Sequence, residues 1–296
     1  LRIILARNAG FCWGVERAVD MALEATEKYG SLCILGDLIH NREVVQKLQE
    51  RGARTVETPD EAGGEAVMIR AHGIPQSTRR ELEDRGFEIV DSTCPFVERV
   101  QKAAQRFEKE GRQVLLVGKA GHPEIAGVLG HTRSGIVVRS EQDIDALPMF
   151  EKVGVVAQTT ESREVFQRLC SYISARFPDV VIRDTICSAT EEQQSSAREL
   201  AEKADVMIVV GDRHSSNTTH LAEICSALTE THHIASPDEL KADWVSGRET
   251  VGVTAGASTP DWVIEQVLEK LRTLALDSGV ERVTVVGAYG HTPLPG

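Results

Sequence analysis

Apolar positions along this chain of 296 residues follow two alternating patterns. Short apolar runs (CILG at 33–36, VMI at 67–69, VLLV at 114–117, VGVVA at 153–157, VMIVV at 206–210 and VGVTA at 251–255) have the length of strands. Between them the spacing becomes helical. In GVERAVDMALEATEKYG, at 14–30, the residues Val15, Ala18, Val19, Ala22 and Leu23 make one stripe, and TPDWVIEQVLEKL at 259–271 opens like a capped helix. Strand runs alternating with helical segments predict an α/β fold with mostly parallel sheets.

The pattern repeats at long range. NAGFCWGVERAV, DSTCPFVERVQK and DTICSATEEQQS each place a cysteine (Cys12, Cys94, Cys187) at the mouth of a predicted helix, with Glu16, Glu98 or Glu191 four residues on. Each cysteine stands 24 positions before a strand-terminal glycine: Gly36, Gly118 or Gly211. Four residues past those glycines come His40, His122 and Ser215. A third echo, MIRAHGIP, VGVVAQTTES and VGVTAGASTP, carries His72, Thr159 and Ser258 in the loops after strands. We read three pseudo-repeated α/β units, 1–93, 94–186 and 187–276, followed by a tail at 277–296. The strand at 2–6 could complete the third unit, and VTVVGAYGHTPLPG could be a tail or a closing strand. Ligands of such sheets bind beyond the carboxyl ends of the strands. Threefold packing is therefore expected to bring the three cysteines and a ring of His, Ser, Thr and Asn residues to one central site.

Composition narrows the class without changing it. The formal charge of −12 argues against general nucleic-acid binding. No apolar run reaches the ~18–20 residues of a membrane helix. The first residues, LRIILARNAG, lack the apolar segment of a secretory signal, so a cytoplasmic location is expected. In that compartment six cysteines are reduced, metal-bound or buried rather than disulfide-paired.

Three in-register cysteines without local partners suggest an Fe–S cluster held by three thiolates, with one iron open to substrate. The competing reading is three small buried residues, since free cysteine packs well in cores. Cys33, Cys170 and Cys225 have no repeated position, lie within apolar stretches and are expected in the core. His122-Pro123-Glu124 is H-x-E, but the P-C-x-x-C that completes a zinc deaminase signature is absent, as are H-E-x-x-H, the Walker A loop and G-x-G-x-x-G. The polar loops resemble an anion site: imidazoles at His40 and His72, hydroxyls at Ser215, Ser216 and Ser258, and an amide at Asn217. Glu124 is the leading proton donor among the mid-repeat tips.

These residues together carry a resemblance. GFCWGV, HN at His40, AHG at His72, TCP at Cys94, GHPE at His122, QTT at Thr159, SSN at Ser215 and GVTAGAS at Ser258 occur in one order from Leu5 to about Leu274. In this the sequence resembles the 4-hydroxy-3-methylbut-2-enyl diphosphate reductase (IspH/LytB) family, which acts last in the methylerythritol phosphate route to isoprenoids. The resemblance implies that Cys12, Cys94 and Cys187 ligate a [4Fe–4S] cluster. It implies that His40, His72, Ser215, Ser216, Asn217 and Ser258 hold a diphosphate. His122 would lie near the substrate, Glu124 would supply a proton, and Thr159 would position the hydroxyl and relay that proton. The implied reaction removes an allylic hydroxyl with two electrons and protons, giving isopentenyl and dimethylallyl diphosphate. A ferredoxin or flavodoxin is the implied electron donor, with no nucleic-acid or membrane partner. An Fe–S lyase or condensing enzyme of quinolinate-synthase type is the alternative, and a scaffold holding a structural metal is the non-enzyme one.

Overall fold

In the computed structural model, residues 1–287 are described; His291 and the end of the expected tail lie outside the described residues. The chain opens with β1 (Arg2–Leu5). The strands β2 (Leu32–Leu35), β3 (Ala53–Val56), β4 (Ala66–Ile69) and β5 (Glu88–Asp91) form a parallel sheet in the order β3-β2-β4-β5. A second parallel sheet joins β6 (Gln113–Val117), β7 (Ile136–Val138), β8 (Lys152–Ala157) and β9 (Asp179–Ile182) as β7-β6-β8-β9. The third contains β10 (Val206–Val210), β11 (Glu230–Ile234), β12 (Thr250–Ala255) and β13 (Thr284–Val286), with β1 inserted, in the order β11-β10-β12-β1-β13. All pairings are parallel, and the final apolar stretch contributes a closing strand at 284–286.

Ten helices connect these strands among the described residues: α1 (Trp13–Tyr29), α2 (Arg42–Glu50), α3 (Gln76–Asp84), α4 (Pro95–Lys109), α5 (Pro123–Leu129), α6 (Glu141–Asp145), α7 (Arg163–Arg176), α8 (Ser188–Ala201), α9 (Ser216–Ser226) and α10 (Asp261–Asp277). None is long and apolar enough to cross a membrane. The chain divides into two compact units. One comprises Leu1–Trp13, His40–Arg42 and Ser188 onward, with the five-stranded sheet; the other comprises Gly14–Ile39 and Glu43–Cys187, with both four-stranded sheets.

The apolar runs of the sequence become the two central strands of each sheet, and β10 and β12 are buried along their whole length. Helices must cover both faces of such strands, and at ~1.5–3 kcal/mol per buried aliphatic side chain these strands form the rigid frame. Helix α4 approaches β8 so closely that a Cβ added at Gly154 would enter the Phe107 ring. Cys33, Cys170 and Cys225 are buried in three apolar clusters, as their sequence context predicts, and burial pushes the Cys170 and Cys225 thiols up to about 12.

Candidate functional site

In each sheet the chain order reverses between the two central strands: β2 and β4, β6 and β8, β10 and β12. A parallel sheet opens a crevice at that switch point, beyond the carboxyl ends of the strands. His40, His122 and Ser215 follow β2, β6 and β10; His72, Thr159 and Ser258 follow β4, β8 and β12. Cys12, Cys94 and Cys187 each stand immediately before a helix, α1, α4 and α8 respectively. Each cysteine also donates its backbone N–H to a loop after a central strand: Cys94 to the Ala71 carbonyl at 2.9 Å, Cys187 to Thr159 at 3.0 Å and Cys12 to Ala257 at 3.2 Å. The bond runs from the start of one repeat to the loop after β4, β8 or β12 of the one before, so in sequence order it is cyclic.

In the unit with the two four-stranded sheets, Cys94, Cys187, Glu124 and Thr159 come together. Burial pushes the Cys94 thiol up, the N–H groups of Phe96 and Val97 at the start of α4 oppose that, and Cys187 and Glu124 raise it further. Glu124 lies in the first turn of α5 and is 2% exposed. Its Oε1 accepts from the Thr159 N–H at 2.7 Å and its Oε2 from the Thr159 hydroxyl at 2.8 Å. Burial outweighs both hydrogen bonds and moves the Glu124 carboxyl up to about 7, so it holds a proton over a good part of the neutral range.

His122 caps the same helix, its Nδ1 accepting from the Glu124 N–H at 3.1 Å. A backbone N–H can only donate, so Nδ1 is unprotonated and Nε2 carries the hydrogen. His122 therefore presents a donor, with its ring edge-to-face against His72 at a centroid distance of 5.3 Å.

The unit with the five-stranded sheet gathers the other predicted residues. The Ser258 hydroxyl donates to the His40 carbonyl at 3.0 Å, joining the loop after β12 to the His40 segment. Ser215 caps α9, accepting from the Thr218 N–H at 3.3 Å. Ser216 and Asn217 follow in the first turn, 3% and 2% exposed. Among the described residues, the Ser216 hydroxyl and the Asn217 Oδ1 have no hydrogen-bond partner. A buried polar group left unpaired costs ~1–3 kcal/mol; at this helix N-terminus, where N–H groups and the helix dipole attract an anion, the Ser216 hydroxyl can donate to one, while the Asn217 Oδ1 only accepts and calls for a donor.

Arg17 is a residue the sequence reading passed over. From α1 it donates to the carbonyls of Ser92 and Thr93, the two residues before Cys94, at 3.4 Å each. A signal for it existed: Arg17 and Arg99 both stand five residues after a repeat cysteine.

Comparison with known proteins identifies the family. The profile described as LytB protein matches residues 3–272. The chain belongs to the LytB protein family. Among its LytB relatives, a protein of Geobacter sulfurreducens is 43% identical over 277 residues, covering 92% of this chain and 97% of the relative. One of Syntrophotalea carbinolica is 41% identical over 278 residues, covering 93% and 100%. Both carry the name 4-hydroxy-3-methylbut-2-enyl diphosphate reductase. A solved structure described as that of (E)-4-hydroxy-3-methyl-but-2-enyl diphosphate reductase, the terminal enzyme of the non-mevalonate pathway, is 40% identical with a TM-score of 0.68, covering 92% of this chain and 99% of that one. The fold is also that of a reductase from Plasmodium falciparum, with a TM-score of 0.88 at 23% identity, covering 100% and 94%.

Proposed function

We propose that this LytB chain is a 4-hydroxy-3-methylbut-2-enyl diphosphate reductase, converting its substrate to isopentenyl and dimethylallyl diphosphate. The observation that carries the reading is Glu124: a buried carboxyl moved up to about 7, held by two hydrogen bonds from Thr159 and within electrostatic reach of Cys94. That is a proton donor set beside a thiol. The condensing-enzyme alternative finds no support in the relatives named above.

The donor set fits a [4Fe–4S] cluster held by Cys12, Cys94 and Cys187. None of the three is in a disulfide, and each stands at the mouth of a helix, a place where backbone N–H groups stabilise a thiolate. When bound, the cluster would pass on electrons one at a time and would offer an open iron as a Lewis acid. The chain's own residues do the rest. Ser216, Asn217 and the first turn of α9 hold the diphosphate, together with His40, His72, Ser215 and Ser258; His122 offers its Nε2 hydrogen to the substrate. This binding fixes the allylic hydroxyl in place. Protonated at Oε2, Glu124 donates to the Thr159 hydroxyl, which turns and passes a proton to the departing oxygen, and this leaves as water. Two electrons and a second proton complete the reduction. The electrons come from a low-potential donor of ferredoxin or flavodoxin type in the cytoplasm.

The test is anaerobic. Purified protein is mixed with reduced methyl viologen, and 4-hydroxy-3-methylbut-2-enyl diphosphate is added. Oxidation of the viologen with both C5 diphosphates formed is expected. No consumption by protein that contains iron and sulfide would overturn the reductase reading, and absence of iron from fresh anaerobic protein would overturn the cluster.

A further inference from the structure

We propose that Gln193 is a positioning residue that fixes the Asn217 amide against the loop leading to Cys12. Gln193 lies on α8, six residues after Cys187, and is 4% exposed. Its Nε2 donates to the Gly10 carbonyl at 2.8 Å, and its Oε1 accepts from the Asn217 Nδ2 at 2.6 Å.

The direction of this chain of bonds is not arbitrary. A backbone carbonyl only accepts, so Gln193 must turn its amide nitrogen to Gly10 and its oxygen to Asn217. Asn217 must then answer with its own nitrogen. One Nδ2 hydrogen is thereby engaged, the other remains for a ligand, and Oδ1 is left open. The starting point is itself fixed. Gly10 has φ +93°, and a Cβ there would meet Ile264 at 2.9 Å and the Thr259 carbonyl at 3.2 Å. The Gly10 and Cys12 N–H groups are tied to the carbonyls of Ala255 and Ala257, both at 3.2 Å.

The position needs one donor and one acceptor on a single planar group. Methionine would fill the volume but leave the Gly10 carbonyl and an Asn217 N–H unpaired in a buried place. Glutamate would turn an acceptor toward a carbonyl. The same bridge therefore sets the Cys12 loop and the face of Asn217 turned to the anion. The assignment rests on the diphosphate reading of α9.

The experiment is a double-mutant cycle on anaerobic, cluster-loaded protein, reading the Kd for inorganic pyrophosphate by calorimetry and the kinetics with the full substrate. Gln193→Met is expected to raise the Kd on the order of fivefold to tenfold, with KM rising similarly and kcat changing less. In an Asn217→Ala background the same change should cost nothing further, because Gln193 acts through Asn217. Unchanged affinity in Gln193→Met, or an equal loss in both backgrounds, would overturn the proposal. Should Gln193→Met not fold, Gln193→Asn, polar but too short to span both partners, takes its place with the same expectations. Failure of the wild type to bind pyrophosphate, or equal binding by wild type and Asn217→Ala, would instead remove the diphosphate reading and the inference with it.

Discussion

At the scale of single residues, Glu124 concentrates the chemistry. Its carboxyl, moved up to about 7 by burial, predicts that turnover falls as pH rises through that value, because the donor form is lost. Glu124→Gln should keep the cluster and pyrophosphate binding while turnover drops by about 10²–10⁴-fold, the usual worth of a positioned acid. Near-normal turnover would remove Glu124 from the mechanism. Thr159→Val removes one of the hydrogen bonds that lower the carboxyl's pKa, so the alkaline limb of the rate profile should move to higher pH even as kcat falls. A stability effect follows from the same shift. The folded-state value lies above the ordinary 4.5, so folding is unaffected well below 4.5 and loses stability as pH rises from there through about 7. Above that, Glu124→Gln should be more stable than wild type by up to about 3 kcal/mol, readable as a rise in denaturation midpoint at pH 8 that vanishes at pH 4.

At the scale of elements, the tight seat of α4 on β8 makes its own prediction. Gly154→Ala should cost about 1–3 kcal/mol, because Phe107 cannot leave its rotamer without disturbing a packed core; unchanged urea midpoints would show that α4 can give. The six apolar runs emerged as the two central strands of each sheet, since strands buried on both faces announce themselves without alternation. The flanking strands were harder to read. EIVD of β5 and ETHHI of β11 are short, partly exposed and polar, so tertiary pairing rather than composition makes them strands. The candidate positions were legible for a related reason: the fixed spacing of 24 puts Cys before a helix and then His or Ser after a strand three times. Gln193 was not legible. It acts on Gly10 across 183 positions and has no counterpart in the other repeats, so no pattern marks it.

At the scale of the whole molecule, the N-terminal strand is unusual in being flanked by later ones. β1 lies between β12 and β13, with Ile3 fully buried. Hydrogen exchange should therefore find the amides of Ile3 to Leu5 protected to a degree comparable with β10; rapid exchange there would mean that β1 is only loosely seated. The pairing of Arg2 with Thr250 also sets an order of events during synthesis. At ~5–20 residues per second the ribosome needs on the order of ten seconds or more to deliver β12 after β1. Through that interval the first strand has no neighbour, and Cys12 has no Ala257 carbonyl to anchor its N–H. Cys94 and Cys187 meet their anchors, Ala71 and Thr159, on segments already made. The thiol nearest the start of the chain is thus the last to reach its seat, and a cofactor that needs all three would be delivered to a finished polypeptide rather than to a growing one.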